Sequence, residues 1–274
     1  MEPSDHVASR IRIVLVGTQH PGNIGSAARA MKTMGLARLV LVAPEKAPNA
    51  ESHALAAGAD DLLSGAATVA TLAEAVADCT LVLGCTARSR RVALDELPPR
   101  EAAGRTVAAA AAGAETALVF GRERTGLDNE ELQLCHAAVH IPADPAYSSL
   151  NLAAAVQVVA YETRLALLEH AAAGPTDRAA DTSDTDGQAT HAQMEGFFGQ
   201  LAETLDAIDF HKGRAPESAL RKLRRLYLRA APTEAEVRLL RGVLADAQRM
   251  ARLAGQPAAG DAAGAPVREP PELR

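Results

Sequence analysis

The stretch IRIVLVGTQHPGNIGSAARAMKTMGL, residues 11–36, carries the pattern on which the predicted fold rests. Its first part, 11–16, is mostly apolar and rich in β-branched side chains, which is typical of a buried strand. A Pro-Gly turn follows at Pro21, and the apolar spacing of residues 24–34 predicts a helix that ends at Gly35. Strand, loop and helix in this order form the repeating unit of a parallel sheet.

The same unit recurs along the next hundred residues. Further strands are expected at 39–42, 80–84, 117–121 and 139–141, and helices near 52–57 and 72–77. Because short apolar strands alternate with helices, we predict an α/β domain in which helices cover both faces of a parallel sheet. A long helix at about 150–170, capped by Ser149 and apolar on nearly every side, should pack partly against another subunit.

Composition changes after residue 170 and indicates a second domain. Residues 171–193 are rich in Gly, Pro, Thr, Asp and Ala, which predicts a flexible acidic linker between a domain at 1–170 and a helical unit at 194–254. Three helices are expected in that unit, at 194–208, 217–228 and 234–253, the last opened by a capping box of Thr233 and Glu236. The tail, 255–274, is Ala/Gly/Pro-rich and is expected to be disordered.

Charge is distributed unevenly along the chain. The formal net charge is −6, yet the segment from Lys212 to Arg252 holds eleven lysines and arginines against four acids. One predicted helix carries five of these cations, Arg221, Lys222, Arg224, Arg225 and Arg229, in part at i, i+4 spacing. A basic face of this kind fits contact with RNA phosphates, and a merely solvated face is the alternative.

Several classes of protein are disfavoured by the composition. The three cysteines, Cys79, Cys85 and Cys135, are an odd number without CxxC spacing, so neither a disulfide framework nor a zinc site is expected. The eight histidines are scattered, and we expect no metal site. No apolar run approaches the roughly 18 residues of a membrane span, and no secretory signal is recognisable, which predicts a cytoplasmic protein without membrane contact.

The loop after the first strand has two interpretations. A ligand could collect there, because ligands bind at the carboxyl ends of strands in α/β sheets, and Gly22 and Gly25 would let the backbone approach it. The alternative is a simple Pro-Gly turn in which Asn23 caps the helix. Arg29 departs from the apolar stripe of that helix, which fits either a functional or a solvated side chain.

Two later loops also combine structural and functional signals. In ALVFGRERTGLDNEEL (117–132) the Asp128 and Glu131 pair predicts a capping box, whereas the charged residues between two glycines favour a functional role. In YSSLNLAAAVQVVAYE (147–162) Ser148 and Ser149 lie at a helix N-terminus, a place suited to polar or anionic groups. Asn151 is unusual in an apolar helix and indicates a positioned hydrogen bond.

Taken together, HPGNIGSAARAMKTMGL (20–36) and these two stretches resemble the three motifs of the SpoU class of SPOUT RNA methyltransferases. The resemblance extends from Arg10 to about residue 170. Farther on, RKLRRLYLRA and EVRLLRGVLADAQ are similar to bacterial enzymes that methylate a pyrimidine ribose at position 32 of the tRNA anticodon loop. The resemblance implies a homodimer, a deep trefoil knot near the carboxyl end of the first domain, and S-adenosylmethionine as methyl donor.

The same resemblance implies the functional residues. The cofactor would be held by residues of three loops: Cys85, Thr86, Ala87, Gly121, Ile141, Ser148, Ser149 and Leu150. The family's catalytic arginine corresponds to Arg29, with Asn23, Ser149 and Glu123 in the same site. Since a guanidinium stays charged at neutral pH, we expect Arg29 to grip a phosphate and stabilise the forming alkoxide.

Three alternatives remain open from the sequence. A SpoU-class enzyme could act on ribosomal RNA or on another tRNA nucleotide. The chain could also be an inactive RNA-binding relative, which the presence of Arg29, Asn23 and the third motif disfavours. A small-molecule α/β enzyme with a solvated basic segment is the third.

Overall fold

The computed structural model describes residues 3–87, 94–173, 187–213 and 215–254. Within these ranges one sheet runs in the order β3-β2-β1-β6-β4-β7-β5, and each pair of neighbouring strands is parallel. The strands are β1 (Ile11–Val16), β2 (Arg38–Val42), β3 (Ala67–Val69), β4 (Leu81–Cys85), β5 (Glu96–Leu97), β6 (Thr116–Phe120) and β7 (Ala137–Val139). The predicted parallel sheet is confirmed.

Helices pack on both faces of the sheet, as predicted. They are α1 (Pro3–Ala8), α2 (Pro21–Thr33), α3 (Ala50–Ala56), α4 (Asp60–Ser64), α5 (Leu72–Ala75), α6 (Pro99–Ala111), α7 (Asn129–Gln133) and α8 (Leu152–Ala173). The larger apolar core includes buried side chains of α2, α6 and α8, and the smaller one, on the other face, includes those of α5 and α7. No helix in the described ranges is long and apolar enough to span a membrane.

The central strands β1 and β6 are buried along their whole length, which explains their nearly continuous apolar sequence. Arg12 is the charged residue within this apolar strand β1. Its guanidinium donates to Asp78 at 2.7 and 2.6 Å and to Glu115 at 3.1 Å, so the buried charge is paired.

The second unit consists of α9 (His191–Ala207), α10 (Glu217–Ala230) and α11 (Glu234–Ala254). The three predicted helices and the Thr233–Glu236 capping box are confirmed. Backbone hydrogen bonds attach this unit to the sheet domain: His191 N donates to Cys79 O at 2.8 Å and Ala192 N to Ala77 O at 2.9 Å. Most of the predicted linker and all of the predicted tail lie outside the described residues.

Several predicted boundaries were wrong. Helix α8 begins at Leu152, and Asn151 caps it, because its side chain accepts from Ala153 N at 2.9 Å and Ala154 N at 3.4 Å; Ser149 is not the cap. Strand β7 ends two residues before the predicted strand does. Helix α6 was not predicted, because its buried face consists largely of alanines, whose small side chains give a weak apolar pattern.

Candidate active site

A pocket opens at the carboxyl ends of β4, β6 and β7, where ligands collect in parallel sheets. We call it the strand-end pocket. Its volume is about 140 Å³. Three loops form its walls, which follow β4, β6 and β7 in turn.

The structure brings together all eight residues predicted to hold the cofactor. They line the strand-end pocket: Cys85, Thr86, Ala87, Gly121, Ile141, Ser148, Ser149 and Leu150. The sequence reasoning missed Arg122, Arg124 and Thr125, which also line it, although the charged run between Gly121 and Gly126 had signalled this loop. Because the eight residues come from distant segments, their meeting in one pocket is a tertiary result; their role in binding stays a prediction.

Gly121 allows the loop after β6 to fold back on itself. A side chain there would place its Cβ 2.1 Å from Leu127 N and 2.2 Å from the carbonyl carbon of Gly126, which are backbone atoms. The turn is further held by a bridge between Arg122 and Gly126, whose φ is +67°. Glycine at residue 121 is therefore required by the shape of the pocket wall.

A chain of hydrogen bonds joins the three sequence motifs. Asn151 Nδ2 donates to Asn23 Oδ1 at 3.0 Å, and Asn23 Nδ2 donates to Glu123 Oε1 at 2.8 Å. The backbone N–H groups of Gln19 and His20 also donate to Glu123, at 3.0 and 3.2 Å. The positioned hydrogen bond predicted for Asn151 is confirmed, and Glu123 fixes the loop after β1.

These donors keep Glu123 ionised. Partial burial opposes the charge, but the hydrogen bonds from Asn23 and from the backbone of Gln19 outweigh it and hold the pKa of Glu123 below its usual range. A carboxylate with a lowered pKa is a weak base. The geometry therefore favours a positioning role for Glu123 over proton transfer.

The first loop differs from the prediction in two respects. Gly25 lets α2 approach α3, since a Cβ there would lie 2.0 Å from Ser52 O, and Gly22 faces the side chains of Glu51 and Leu55. These glycines serve helix packing and not the approach of a ligand. Asn23 does not cap α2 either, because the helix begins at Pro21 and the side chain of Asn23 bonds to Glu123.

Arg29 lies on the exposed side of α2, outside the strand-end pocket. It follows Asn23 by six residues, which corresponds to about 9 Å along the helix axis. Among the described residues no hydrogen bond or ion pair to its side chain is seen. Its neighbour Lys32, in contrast, is paired with Asp61 at 2.6 Å.

Cys85 contributes to the pocket as an uncharged group. Burial raises the pKa of its thiol to about 12, and the same holds for Cys135 beneath the sheet. Thiolate chemistry is therefore not available to either residue at neutral pH.

The five cations predicted to contact RNA divide into two groups. Arg221, Lys222, Arg225 and Arg229 are exposed on α10. Arg224 instead joins the two units: its Nε donates to Gln133 O at 2.9 Å, its guanidinium pairs with Glu195, and it lies 4.5 Å from the centre of the Phe198 ring. Only about 15% of its side chain is exposed.

The fold and this site define a class: a parallel α/β protein whose ligand pocket is built from loops at the strand ends, with a basic helical unit attached. Residues 10–161 match the SpoU rRNA Methylase family, and residues 192–256 match the family described as tRNA methyltransferase TrmJ, C-terminal domain. The chain belongs to the SpoU methylase family.

Known relatives cover nearly the whole chain. It is 49% identical over 247 residues to the tRNA (cytidine/uridine/adenosine-2′-O-)-methyltransferase TrmJ of Pseudomonas aeruginosa, with 89% of this chain and 95% of that protein covered. It is 49% identical to the tRNA (cytidine/uridine-2′-O-)-methyltransferase TrmJ of Escherichia coli K12, with 86% and 94% covered. The crystal structure of TrmJ from Z. mobilis superposes with a TM-score of 0.71 at 34% identity, covering 86% of this chain and 97% of that one.

Proposed function

We propose that this protein transfers a methyl group from S-adenosylmethionine to the ribose 2′-hydroxyl of a pyrimidine at position 32 in the tRNA anticodon loop. The observation that carries the proposal is the strand-end pocket, in which all eight predicted cofactor residues meet. A second observation also supports it: the chain of hydrogen bonds from Asn151 through Asn23 to Glu123 connects the three motifs beside that pocket.

The lining of the strand-end pocket fits this cofactor chemically. Phe120, Ile141 and Leu150 supply apolar surface for an adenine ring, while Ser148 and Ser149 supply hydroxyls for polar groups. The bound cofactor would provide an electrophilic methyl group. Backbone of the loops at Thr86 and Gly121 would make the remaining contacts, so the uncharged thiol of Cys85 needs no chemical role.

The reaction requires little acid or base chemistry from the chain. With the cofactor bound, transfer would form a bond from the ribose 2′-oxygen to the methyl carbon and break the sulfur–carbon bond, and the hydroxyl proton would leave to phosphate or solvent. A guanidinium is not a proton acceptor in proteins, so the part of Arg29 is to hold the neighbouring phosphate and stabilise negative charge on the oxygen. Its exposed place on α2 is compatible with a partner as large as RNA.

Asn23 and Glu123 would act by positioning. Glu123 holds the loop after β1 through three donors, and Asn23 connects that loop to the start of α8. Ser149, which lines the strand-end pocket, lies two residues before the Asn151 cap. The arrangement fixes the position of the first motif relative to the third. A fixed relative position is the main requirement for aligning a nucleophile with a methyl carbon.

A homodimer and a knotted chain path belong to the same proposal. Helix α8 buries Val156, Val159 and Leu167 in its own domain and exposes Tyr161 and Leu168 to about half of their maximum. These two residues are seven apart and therefore share a face, which a second copy could cover.

The relatives do not all act on the same set of target bases. The relatives from Escherichia coli and Pseudomonas aeruginosa differ in whether their names include adenosine. A tRNA substrate is supported by the match of residues 192–256 to the C-terminal domain of TrmJ and by the exposed cations of α10.

Mass spectrometry of nucleosides tests the function directly. Unmodified tRNA transcripts with each base at position 32 are incubated with the protein and S-adenosylmethionine, beside the variant Arg29→Ala. We expect a 2′-O-methylpyrimidine at position 32 and a loss of rate of about 100- to 1,000-fold in the variant. Arg29→Lys should stay well below the wild-type rate, because an ammonium cannot reproduce the two-pronged contact of a guanidinium.

The remaining outcomes separate the alternatives. Methylation of ribosomal RNA, or of a different tRNA nucleotide, would keep the chemistry and replace the target. RNA binding without binding of S-adenosylmethionine in calorimetry would identify an inactive RNA-binding relative. If removal of the helical unit left the activity unchanged, the small-molecule alternative would gain support.

A further inference from the structure

A second cavity lies where the helical unit meets the sheet domain. Its volume is about 420 Å³, and four cations line it: Arg105 of α6 together with Lys222, Arg225 and Arg229 of α10. We call it the basic cavity. Arg105 was not singled out by the sequence, because it lies in the helix that the apolar pattern failed to predict.

The positive charge of the basic cavity is only partly compensated. Asp95 also lines it and approaches Arg225 at 3.6 Å, while Arg105 pairs with Glu101 on its own helix at 2.7 Å. The side chains of Arg105 and Arg225 remain about half exposed, and exposed pairs of this kind contribute little stability. Arg12 of β1 differs from these two arginines, because its guanidinium is buried and bonded to two carboxylates.

A histidine in the wall does not add to this charge. Burial, and to a lesser degree the neighbouring His191, lowers the pKa of His136 to about 4, so its ring is neutral at physiological pH. Its Nδ1 accepts a hydrogen bond from Val82 N at 3.0 Å. The positive field of the basic cavity therefore comes from its arginine and lysine side chains and not from His136.

The two cavities lie at opposite ends of the same strands. His136, in the basic cavity, precedes β7, and Ile141, in the strand-end pocket, follows it. Five residues of extended chain span roughly 17 Å. A single ligand that reaches both cavities must therefore be extended, and the cations of the basic cavity favour negative charge on it; a nucleic-acid backbone has both properties.

We propose that the basic cavity binds phosphates of the substrate RNA, and that Arg105 is the phosphate-binding residue contributed by the sheet domain. This inference rests on the proposed function. Arg105 and the α10 cations then grip the same backbone from two sides, so that RNA bound by the helical unit is fixed relative to the strand-end pocket. The helical unit thus acts together with the sheet domain and not as an independent tether.

Arg105→Gln tests this assignment, with Arg100→Gln as the matched control. Both arginines lie on α6 and each forms an exposed ion pair, Arg105 with Glu101 and Arg100 with Glu169, but only Arg105 lines the basic cavity. Binding of a tRNA transcript is measured over a series of salt concentrations, with binding of S-adenosylmethionine and the melting temperature measured for each variant.

We expect Arg105→Gln to weaken tRNA binding about 5- to 10-fold and to reduce the slope of log affinity against log salt by about one, as for loss of one phosphate contact. Arg100→Gln should change neither, and Arg105→Lys should restore the slope. Cofactor binding and melting temperature should be unchanged in all three.

Equal effects of Arg105→Gln and Arg100→Gln, or none, would overturn the assignment of the basic cavity. Because RNA binding is measured without catalysis, the result is independent of whether methylation occurs. A wild-type protein that binds tRNA but does not methylate it would contradict the proposed function while leaving this comparison intact, and one that binds no RNA would contradict both.

Discussion

The two cavities of this protein lie at opposite ends of β4 and β7, and different kinds of residue line them. The strand-end pocket is formed by tightly folded loops, and its lining combines two glycines, small hydroxyl side chains, apolar side chains and the charged residues that follow β6; its volume is about 140 Å³. The basic cavity is about 420 Å³ and is lined by long cationic side chains from two units. A pocket shaped by tightly folded backbone can select a small molecule by shape, whereas a cluster of long cationic side chains suits the phosphates of a polyanion.

This difference predicts that the two cavities can be damaged separately. Changes that move backbone should affect the first, and changes that remove charge should affect the second.

The largest effect is expected for Gly121→Ala. The new Cβ would overlap backbone atoms of Gly126 and Leu127, and relieving that overlap should cost about 3 kcal/mol and deform the strand-end pocket. Affinity for S-adenosylmethionine should fall about 100-fold in calorimetry. Gly104→Ala is the control, because a Cβ at this helical glycine meets nothing within 4 Å and should leave cofactor binding intact.

Affinity of Gly121→Ala for tRNA, measured without cofactor, should remain within about threefold of wild type, because the basic cavity is built by other residues. A parallel loss of RNA affinity would mean that the two cavities form one cooperative site.

An intermediate effect is expected for His136→Asn, through the dependence of stability on pH. The pKa of His136 is about 4 in the folded state, below its usual value in an unfolded chain, so only the unfolded state takes up a proton as pH falls below about 6.5. Wild-type stability should therefore decrease as pH falls from about 6.5 to 4, and this residue should account for about 2 kcal/mol of the loss by about pH 5. The variant, whose amide oxygen can still accept from Val82 N, should lose most of this slope.

Urea unfolding at a series of pH values measures this effect. A smaller residual slope is expected in His136→Asn, because burial also lowers the pKa of His191. Identical slopes in wild type and variant between pH 6.5 and 4 would contradict the assignment.

The smallest effect concerns the cap of α8. Asn151→Ala removes the side chain that accepts from Ala153 N and should destabilise the fold by about 1 kcal/mol in urea unfolding. Ser149→Ala should change stability by less than about 0.5 kcal/mol, because Ser149 is not the cap. If Ser149→Ala lowered stability more than Asn151→Ala, Ser149 would be the cap, as predicted from the sequence.

Local patterns could be interpreted from the sequence because their causes are local. The apolar run at β1 predicts a buried strand, and the Thr233–Glu236 and Asp128–Glu131 pairs predict capping boxes, since each involves residues within one turn. Prediction failed where two local solutions compete. Ser149 and Asn151 can each cap a helix, and the sequence does not say which carbonyl and N–H groups remain unpaired.

Contacts between distant segments could not be predicted in the same way. Gly22 and Gly25 carry the same local signal whether a ligand or a helix approaches them, and only the packing of α2 on α3 decides that it is a helix. Arg105 gave no signal, because an exposed arginine in an alanine-rich helix is usually solvated. The cations of α10 that line the basic cavity with it lie more than a hundred positions away in the chain.

The sequence by itself determined the alternation of strands and helices that makes a parallel sheet, the basic character of α10 and, through three resembling motifs, the family. Tertiary structure alone decided that Asn23, Glu123 and Asn151 form one hydrogen-bonded chain, that Arg224 joins the two units, and that the cations of α10 meet Arg105. The physical reason is that propensity and periodicity act within a turn or a strand, whereas a site forms where backbone topology brings remote segments within hydrogen-bond distance.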